Sequence, residues 1–144
     1  MSEKSLSEIA KRMRDIDIAM LSTHTDGGAI AGRPMSNNRE VDYDGDSYYF
    51  TWEKSRMVED IRGNSKVSLA FQGKKAFSVA VEGQAEVIKD KAEFKDHWTP
   101  DLDQWFEDGI DTKGVVMIKI SATRLHYWDG EDEGEVKLSA KRRK

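Results

Sequence analysis

The sequence of 144 residues contains no cysteine, only two prolines and three histidines, and no long uninterrupted apolar run. The absence of cysteine excludes a disulfide framework, a thiolate metal site and a cysteine nucleophile, and it favours a reducing compartment. The N-terminus lacks the basic and then apolar pattern of a signal peptide, and no segment approaches membrane-spanning length. We therefore expect a soluble, cytoplasmic protein with no membrane partner.

Charged residues are abundant, at 35% of the chain, and hydrophobic residues make up 38%, which is enough for one compact domain of this length. The formal net charge of -4 argues against a nucleic-acid partner, although residues 141–144 are locally basic. We predict one domain over residues 1–130 and a polar, disordered C-terminal tail over residues 131–144.

The hydrophobic pattern begins with a helical period and then alternates. Ser5 and Glu8 have the spacing of a capping box before an amphipathic helix, and Ser55 is placed to cap a short helix that ends at Gly63. Alternation and turn residues predict strands at 16–21, 30–37, 47–51, 67–72, 77–87, 115–120 and 124–128. Further short helices are predicted at 91–97 and 101–106, on the two sides of Pro100. Six or seven strands joined mostly by tight turns predict a mainly β, antiparallel barrel with helical additions.

The segment from Phe50 to Arg56 contains the groups that a phosphate site needs. Thr51 and Ser55 supply hydroxyls, Arg56 supplies a guanidinium, and the helix that starts here offers unpaired N–H groups and a positive dipole end. Each charge-assisted hydrogen bond contributes roughly 1.5–3 kcal/mol, so several must converge on one phosphate. Arg33, on the preceding strand, could enter the same site from beside Phe50. The alternative is that Ser55 only caps a helix, Thr51 only ends a strand and both arginines lie in solvent.

Other kinds of site have less support in the sequence. The three histidines, His24, His97 and His126, have no paired spacing, so a zinc site is not expected. The acidic segment 42–53 has the spacing of a calcium loop but carries serine in place of its turn glycine, so we expect no metal there. A nucleophile elbow, a P-loop and a dinucleotide-binding fingerprint are all absent.

Large rings are numerous for so polar a chain. Stacking on a planar heterocycle would use one or two of them, and packing in the core or at a dimer interface would account for most. These rings belong to Trp52, Trp98, Trp105, Phe106, Tyr127 and Trp128.

Several segments together resemble the pyridoxamine 5′-phosphate oxidase-like, FMN-binding split barrels. The resemblance rests on Arg33-Pro34-Met35, on Phe50-Thr51 followed by Ser55-Arg56, and on the strand from Phe77 to Gly83. The general stress protein subgroup shares Trp98-Thr99-Pro100, the segment from Trp105 to Gly109, and Tyr127-Trp128-Asp129. The resemblance covers roughly residues 5–130 and implies an antiparallel split β-barrel with an N-terminal helix and short helices between its strands.

The same resemblance implies a homodimer with two FMN sites at the subunit interface. By position, the flavin would be lined by Arg33, Pro34, Met35 and Ser36, with Phe50 beside them. The phosphate would be bound by Thr51, Ser55 and Arg56, and Ser78 would lie near the cofactor. Trp105 or Trp128 would reach the flavin from the partner chain.

Departures from the family pattern restrict the expected activity. Met57 and Asn38 stand where relatives place lysines, and the late Arg-x-Pro block that grips pyridoxal phosphate is missing. Oxidation of pyridoxamine phosphate is therefore not expected. The resemblance implies an FMN-dependent oxidoreductase with a small-molecule redox substrate, connected with stress response. The alternatives are a non-catalytic flavin store or redox sensor, and a heme or deazaflavin protein, with heme disfavoured because no histidine falls within the predicted site.

Overall fold

Seven strands and three α-helices make up the described parts of the chain, which are residues 4–36 and 43–138 of a computed structural model. The helices are α1 (Leu6–Met13), α2 (Arg56–Gly63) and α3 (Lys91–Phe94). The strands are β1 (Ile18–His24), β2 (Ile30–Ser36), β3 (Asp46–Trp52), β4 (Lys66–Gln72), β5 (Phe77–Ile88), β6 (Val115–Asp129) and β7 (Asp132–Lys137). The predictions made for Asn38, for the start of the acidic segment at Asp42 and for the basic end at 141–144 lie outside the described residues.

Both predicted helix caps are present. The hydroxyl of Ser5 accepts a hydrogen bond from the backbone N–H of Glu8 at 3.2 Å, and the carboxylate of Glu8 accepts one from the N–H of Ser5 at 3.1 Å. At α2, the Ser55 hydroxyl accepts a hydrogen bond from the N–H of Val58 at 3.3 Å. These contacts satisfy N–H groups that the first turn of a helix leaves unpaired, and they fix where α1 and α2 begin.

All strand pairs in the sheet are antiparallel, and the strand order is β2-β1-β4-β5-β6-β3, with β7 added to β6. The two ends of the six-strand path are β2 and β3, which are close in sequence but far apart in strand order. A sheet of this kind curls into a barrel that stays open between its end strands. The prediction of a mainly β, antiparallel split barrel is confirmed.

Two apolar clusters hold the fold together. The larger lies inside the curled sheet, where α1 contributes Ile9 and Met13 and α2 contributes Val58 and Ile61, all at most 3% exposed. The smaller lies on the other face of β3, where it packs against α3 and the segment that follows. Its buried members are Phe50, Phe94, Phe106, Val115 and Met117.

Four sequence predictions need correction. The last two predicted strands, 115–120 and 124–128, are one continuous strand, β6. Residues 132–137, assigned to the tail, form β7 on β6, so the sheet extends past the boundary set at residue 130. The helix predicted at 91–97 is shorter and forms only α3. In place of the helix predicted at 101–106, the structure has a 3-10 turn, Pro100–Gln104. Pro100 can begin this turn because the first residue of a helix does not need its N–H for a hydrogen bond.

Candidate cofactor site

A cavity of about 970 Å³ opens between the end strands β2 and β3. The last turn of α1 closes one end of it, and the segment 97–106 forms its outer wall. Six of the residues predicted for the flavin line this cavity. They are Pro34, Met35, Ser36, Phe50, Thr51 and Trp105.

The two strands that face the cavity are suited to a flat polar ring. An end strand leaves a row of backbone N–H and C=O groups without a partner in the sheet. On β2 and β3 these rows lie at the opening of the barrel, where a heterocycle with donors and acceptors around its edge can pair with them. The geometry thus brings together two segments, 34–36 and 50–51, that the sequence linked only through resemblance.

Arg33 does not line the cavity, because it points to a buried group on α2. Its Nη1 donates to the Thr23 hydroxyl at 2.8 Å, and Thr23 donates to Asp60 Oδ2 at 2.9 Å. The Nη2 atom of Arg33 lies 3.4 Å from the same carboxylate oxygen. Thr23 and Asp60 are 1% and 7% exposed, so this is a nearly buried ion pair that the sequence analysis missed.

Arg56 lies at the N-terminal end of α2, on the surface. Both its Nε and its Nη2 donate to the Thr25 hydroxyl, at 3.1 and 2.8 Å. A hydroxyl oxygen is a neutral acceptor, so these bonds orient the guanidinium without cancelling its charge. Together with the dipole of α2, Arg56 makes this helix end electropositive.

The hydroxyl of Ser55 and the side chain of Met57 have structural roles here. Ser55 caps α2, as the alternative interpretation of this segment expected, and Met57 is 5% exposed within the larger apolar cluster. The position that carries lysine in relatives therefore faces the core in this chain. Arg56 supplies a cationic group at this end of α2.

Ser78 and Trp128 lie on the outer face of the sheet and do not line the cavity. They are cross-strand partners on β5 and β6, and Trp128 is 39% exposed. The ring of Trp128 lies 4.4 Å from that of His126, whose Nε2 is 2.6 Å from a carboxylate oxygen of Glu133 on β7. The expectations from the resemblance that Ser78 lies near the cofactor and that Trp105 or Trp128 reaches the flavin from the partner chain stay predictions.

The cavity is also lined by two residues, Tyr48 on β3 and His97 on the outer wall, that were not selected from the sequence. The rings of Tyr48 and His97 are stacked, with centroids 3.5 Å apart and planes 12° apart, and both line the cavity. Burial lowers the pKa of His97 below its usual value of 6.5, which favours the neutral imidazole. The statement that no histidine falls within the site is therefore wrong. His97 reaches the cavity because the segment after α3 folds over β3, where its ring stacks on Tyr48.

The wall is held in place by packed rings. Trp98 contacts Phe50 with centroids 4.7 Å apart and Phe106 with centroids 5.6 Å apart, and Trp52 contacts Phe106 at 5.0 Å. The indole N–H of Trp98 also donates to Asp103 at 3.0 Å. The prediction that most of the large rings serve packing is thus confirmed for Trp98 and Phe106. A wall anchored in this way is preorganised for a ligand.

Comparison with known proteins identifies the family. A family model described as pyridoxamine 5′-phosphate oxidase like matches residues 4–144. The chain belongs to this family. A search of curated proteins finds no match.

Solved structures of general stress proteins share the fold. A protein from Clostridium acetobutylicum related to general stress protein 26 of B. subtilis is 23% identical, with 96% of this chain and 97% of that chain covered and a TM-score of 0.82. The general stress FMN/FAD binding protein of Xanthomonas citri is 20% identical, with 94% and 95% covered and a TM-score of 0.74. A heme binding protein from Mycobacterium smegmatis is 14% identical, with 95% of this chain but 60% of that chain covered and a TM-score of 0.73. The resemblance to the pyridoxamine 5′-phosphate oxidase-like family stated from sequence is confirmed, and the fold is shared with the solved general stress proteins.

Proposed function

We propose that this member of the family binds FMN in the cavity between β2 and β3 and acts as a flavin-dependent oxidoreductase on a small molecule. The observation that carries the proposal is the convergence of 34–36 and 50–51 on one cavity from the two open edges of the barrel. The likeness to a protein described as FMN/FAD binding supports the same cofactor. The cytoplasm is the proposed location, and no helix within residues 4–36 and 43–138 is long and apolar enough to cross a membrane.

The chain would bind the two ends of FMN by different means. Backbone groups of β2 and β3 would hold the ring, and Thr51 near the end of β3 would hold the phosphate together with Ser55 and Arg56 at the start of α2. Bound flavin supplies the redox chemistry, and the protein supplies binding, orientation and exclusion of water. The buried pair of Arg33 and Asp60 would fix α2 against β2, so that the phosphate end stays aligned with the ring end.

The proposal includes a homodimer, and the exposed apolar face of the sheet supports it. Ile18, Met20 and Ile30 on β1 and β2 are 48%, 44% and 71% exposed. Large apolar side chains grouped on one sheet face are typical of an interaction surface. Ser78 and Trp128 belong to the same outer face, so a second copy seated there could bring them to its own flavin. The apolar segment 115–120, which first suggested dimerisation, is instead buried in the core of the single chain.

Titration of FMN into the purified protein tests the cofactor and its phosphate site together. Wild-type protein should quench flavin fluorescence stoichiometrically, and Arg56→Ala should weaken binding about 10- to 100-fold because one charge-assisted contact is lost. Arg62→Ala is the matched control, since Arg62 lies at the other end of α2 and pairs with Glu53 at 3.3 Å. No binding by the wild type would refute the proposal. Equal affinities for the wild type and both variants would refute the phosphate site.

Heme is a second candidate because His97 lines the cavity. Imidazole is a common axial ligand of heme iron, and burial favours the neutral form of His97 that can coordinate it. The visible spectrum of the protein as isolated separates a flavin from a heme. If the spectrum is that of a flavin but the protein does not oxidise NADH or NADPH in the presence of an electron acceptor, the non-catalytic store or sensor is favoured over the oxidoreductase.

A further inference from the structure

Three aromatic residues that line the cavity lie apart from the flavin contacts predicted on β2 and β3 at 34–36 and 50–51. Tyr48 and His97 stack on each other there, and Trp105 lines the same cavity while 67% exposed. We name these three residues the ring wall. Tyr48 lies on β3, near the predicted flavin contacts 50–51, whereas His97 and Trp105 belong to segment 97–106, which forms the outer wall.

Trp105 differs from the other tryptophans in its surroundings. Within residues 4–36 and 43–138, Trp52, Trp98 and Trp128 each have a ring neighbour at 5.0, 4.7 and 4.4 Å, and Trp105 has none. Its neighbour Phe106 is 4% exposed and anchors the backbone at this point. An indole that is held in place by its backbone, left uncovered and directed at a cavity is suited to stack on a planar ligand.

The charges around the cavity indicate which kind of planar ligand fits. Among the described residues, two cations, Lys11 and Arg14, line it together with two carboxylates, Asp15 and Asp101. Because the formal charges of these four residues cancel, the described part of the lining favours neither an anion nor a cation. The volume of about 970 Å³ is at the upper end of the range of roughly 300–1,000 Å³ that ligand pockets occupy, which leaves room beside a flavin.

From these observations we infer that the ring wall binds a second ligand, an uncharged planar aromatic molecule, beside the flavin. This inference rests on the proposed function, and it gives the substrate class of the same site. It also assigns Trp105 to the cavity of its own chain, in place of a contact with the flavin of the partner chain. A ligand on the ring wall would face the bound flavin across the cavity, where a redox partner has to lie.

Nuclear magnetic resonance of the FMN-saturated protein, labelled with nitrogen-15, tests the inference with 2-naphthol as the probe. The indole N–H signal of Trp105, assigned from its loss in Trp105→Phe, should shift on titration, while that of Trp128 should not. The saturated analogue 2-decalol should bind about three- to tenfold more weakly, because it lacks the ring face for stacking. Trp105→Leu should weaken 2-naphthol binding by a similar factor, and Trp105→Phe should retain it within about twofold.

Flavin affinity measured in the same variants separates this inference from the proposed function. Both Trp105 variants should lose less affinity for FMN than for 2-naphthol, because backbone groups of β2 and β3 and the phosphate contacts would still hold the flavin. Equal affinities for 2-naphthol and 2-decalol would overturn the inference. Binding of 2-naphthol only in the absence of flavin would also overturn it. So would a loss of FMN affinity in Trp105→Leu as large as its loss of 2-naphthol affinity. If the wild type takes up no FMN, the proposed function is refuted, but binding of an aromatic ligand to the ring wall is not. The naphthol titration of that flavin-free protein would still decide whether the ring wall binds aromatic ligands.

Discussion

The nearly buried pair of Arg33 and Asp60 leads to the most informative prediction about this chain. The side chains of Arg33 and Asp60 are 21% and 5% exposed, and their charged atoms lie 3.4 Å apart. Arg33→Ala removes the cation and leaves the carboxylate with the Thr23 hydroxyl alone. Breaking a buried pair in this way costs about 3–5 kcal/mol, because an uncompensated charge remains in the interior. The partial exposure of Arg33 lets water reach the carboxylate in the variant, so we expect about 2–3 kcal/mol.

Arg56→Ala is the matched control for this loss. Arg56 is also an arginine that donates to a threonine. Arg56 is exposed, however, and the acceptor of both its hydrogen bonds to Thr25 is a neutral hydroxyl. Its removal should change the free energy of unfolding by less than about 1 kcal/mol. FMN affinity should show the reverse order, with the larger loss in Arg56→Ala. Urea unfolding at pH 7 and flavin titration measure the two quantities.

A double variant checks the physical cause. Asp60→Asn removes the charge that Arg33→Ala would leave unpaired. The double variant Arg33→Ala/Asp60→Asn should therefore lose about 1–2 kcal/mol less unfolding free energy than the two single variants lose in sum. Strict additivity would refute the ion pair as the source of the stability. Equal destabilisation by Arg33→Ala and Arg56→Ala would refute the division of roles between the two arginines.

Three further predictions concern the sheet, the N-terminal helix and the dimer. Gly83→Ala should lower the free energy of unfolding in urea by about 1–3 kcal/mol, because the added Cβ would lie 2.6 Å from a backbone oxygen of β6. Gly63→Ala is the control, and it should be neutral or slightly stabilising because the space around Gly63 is open. The hydrogen bond from Arg12 lowers the pKa of Asp129 below its usual value of 3.8. The ionised Asp129 carboxylate therefore contributes to stability above about pH 4, and this contribution is lost as pH falls through the lowered pKa. Asp129→Asn should therefore flatten the decline in stability below about pH 4, and an unchanged slope would contradict this. Met20→Lys should convert the proposed dimer to a monomer in light scattering, and a dimeric mass in both proteins would exclude the exposed face of β1 and β2 as the interface.

The strands were predictable where alternation and turn residues agreed, and they were missed where long-range pairing decides. Residues 121–123 are small or polar and suggested a break, but Ala122 is fully buried and β6 continues through it beside the register shift at Gly83. The acidic residues of β7 suggested a tail. On the sheet, Glu133 contacts His126 and Glu135 contacts Arg124, both on β6. Neither pairing can be read from the local sequence.

The site was predictable in part, for a related reason. Resemblance identified 34–36 and 50–51, and the structure places both on the cavity because β2 and β3 are the two ends of one curled sheet. Tyr48 and His97 were missed because their meeting depends on how 97–106 folds over β3. Arg33 was chosen as a site arginine from its position alone, and its carboxylate partner lies 27 residues further along the chain.

Ser55 combines a structural role with a proposed binding role, and two substitutions can separate them. Aspartate and asparagine are both good N-caps, so Ser55→Asp and Ser55→Asn should each keep the stability that the cap provides, about 1 kcal/mol relative to Ser55→Ala. A phosphate at the start of α2 would be repelled by the carboxylate of Ser55→Asp but not by the amide of Ser55→Asn. We therefore expect FMN affinity to differ by at least about tenfold between these two variants, at similar urea midpoints. If flavin titration gives equal affinities for both, the phosphate does not bind at the start of α2, and Ser55 serves only as a cap.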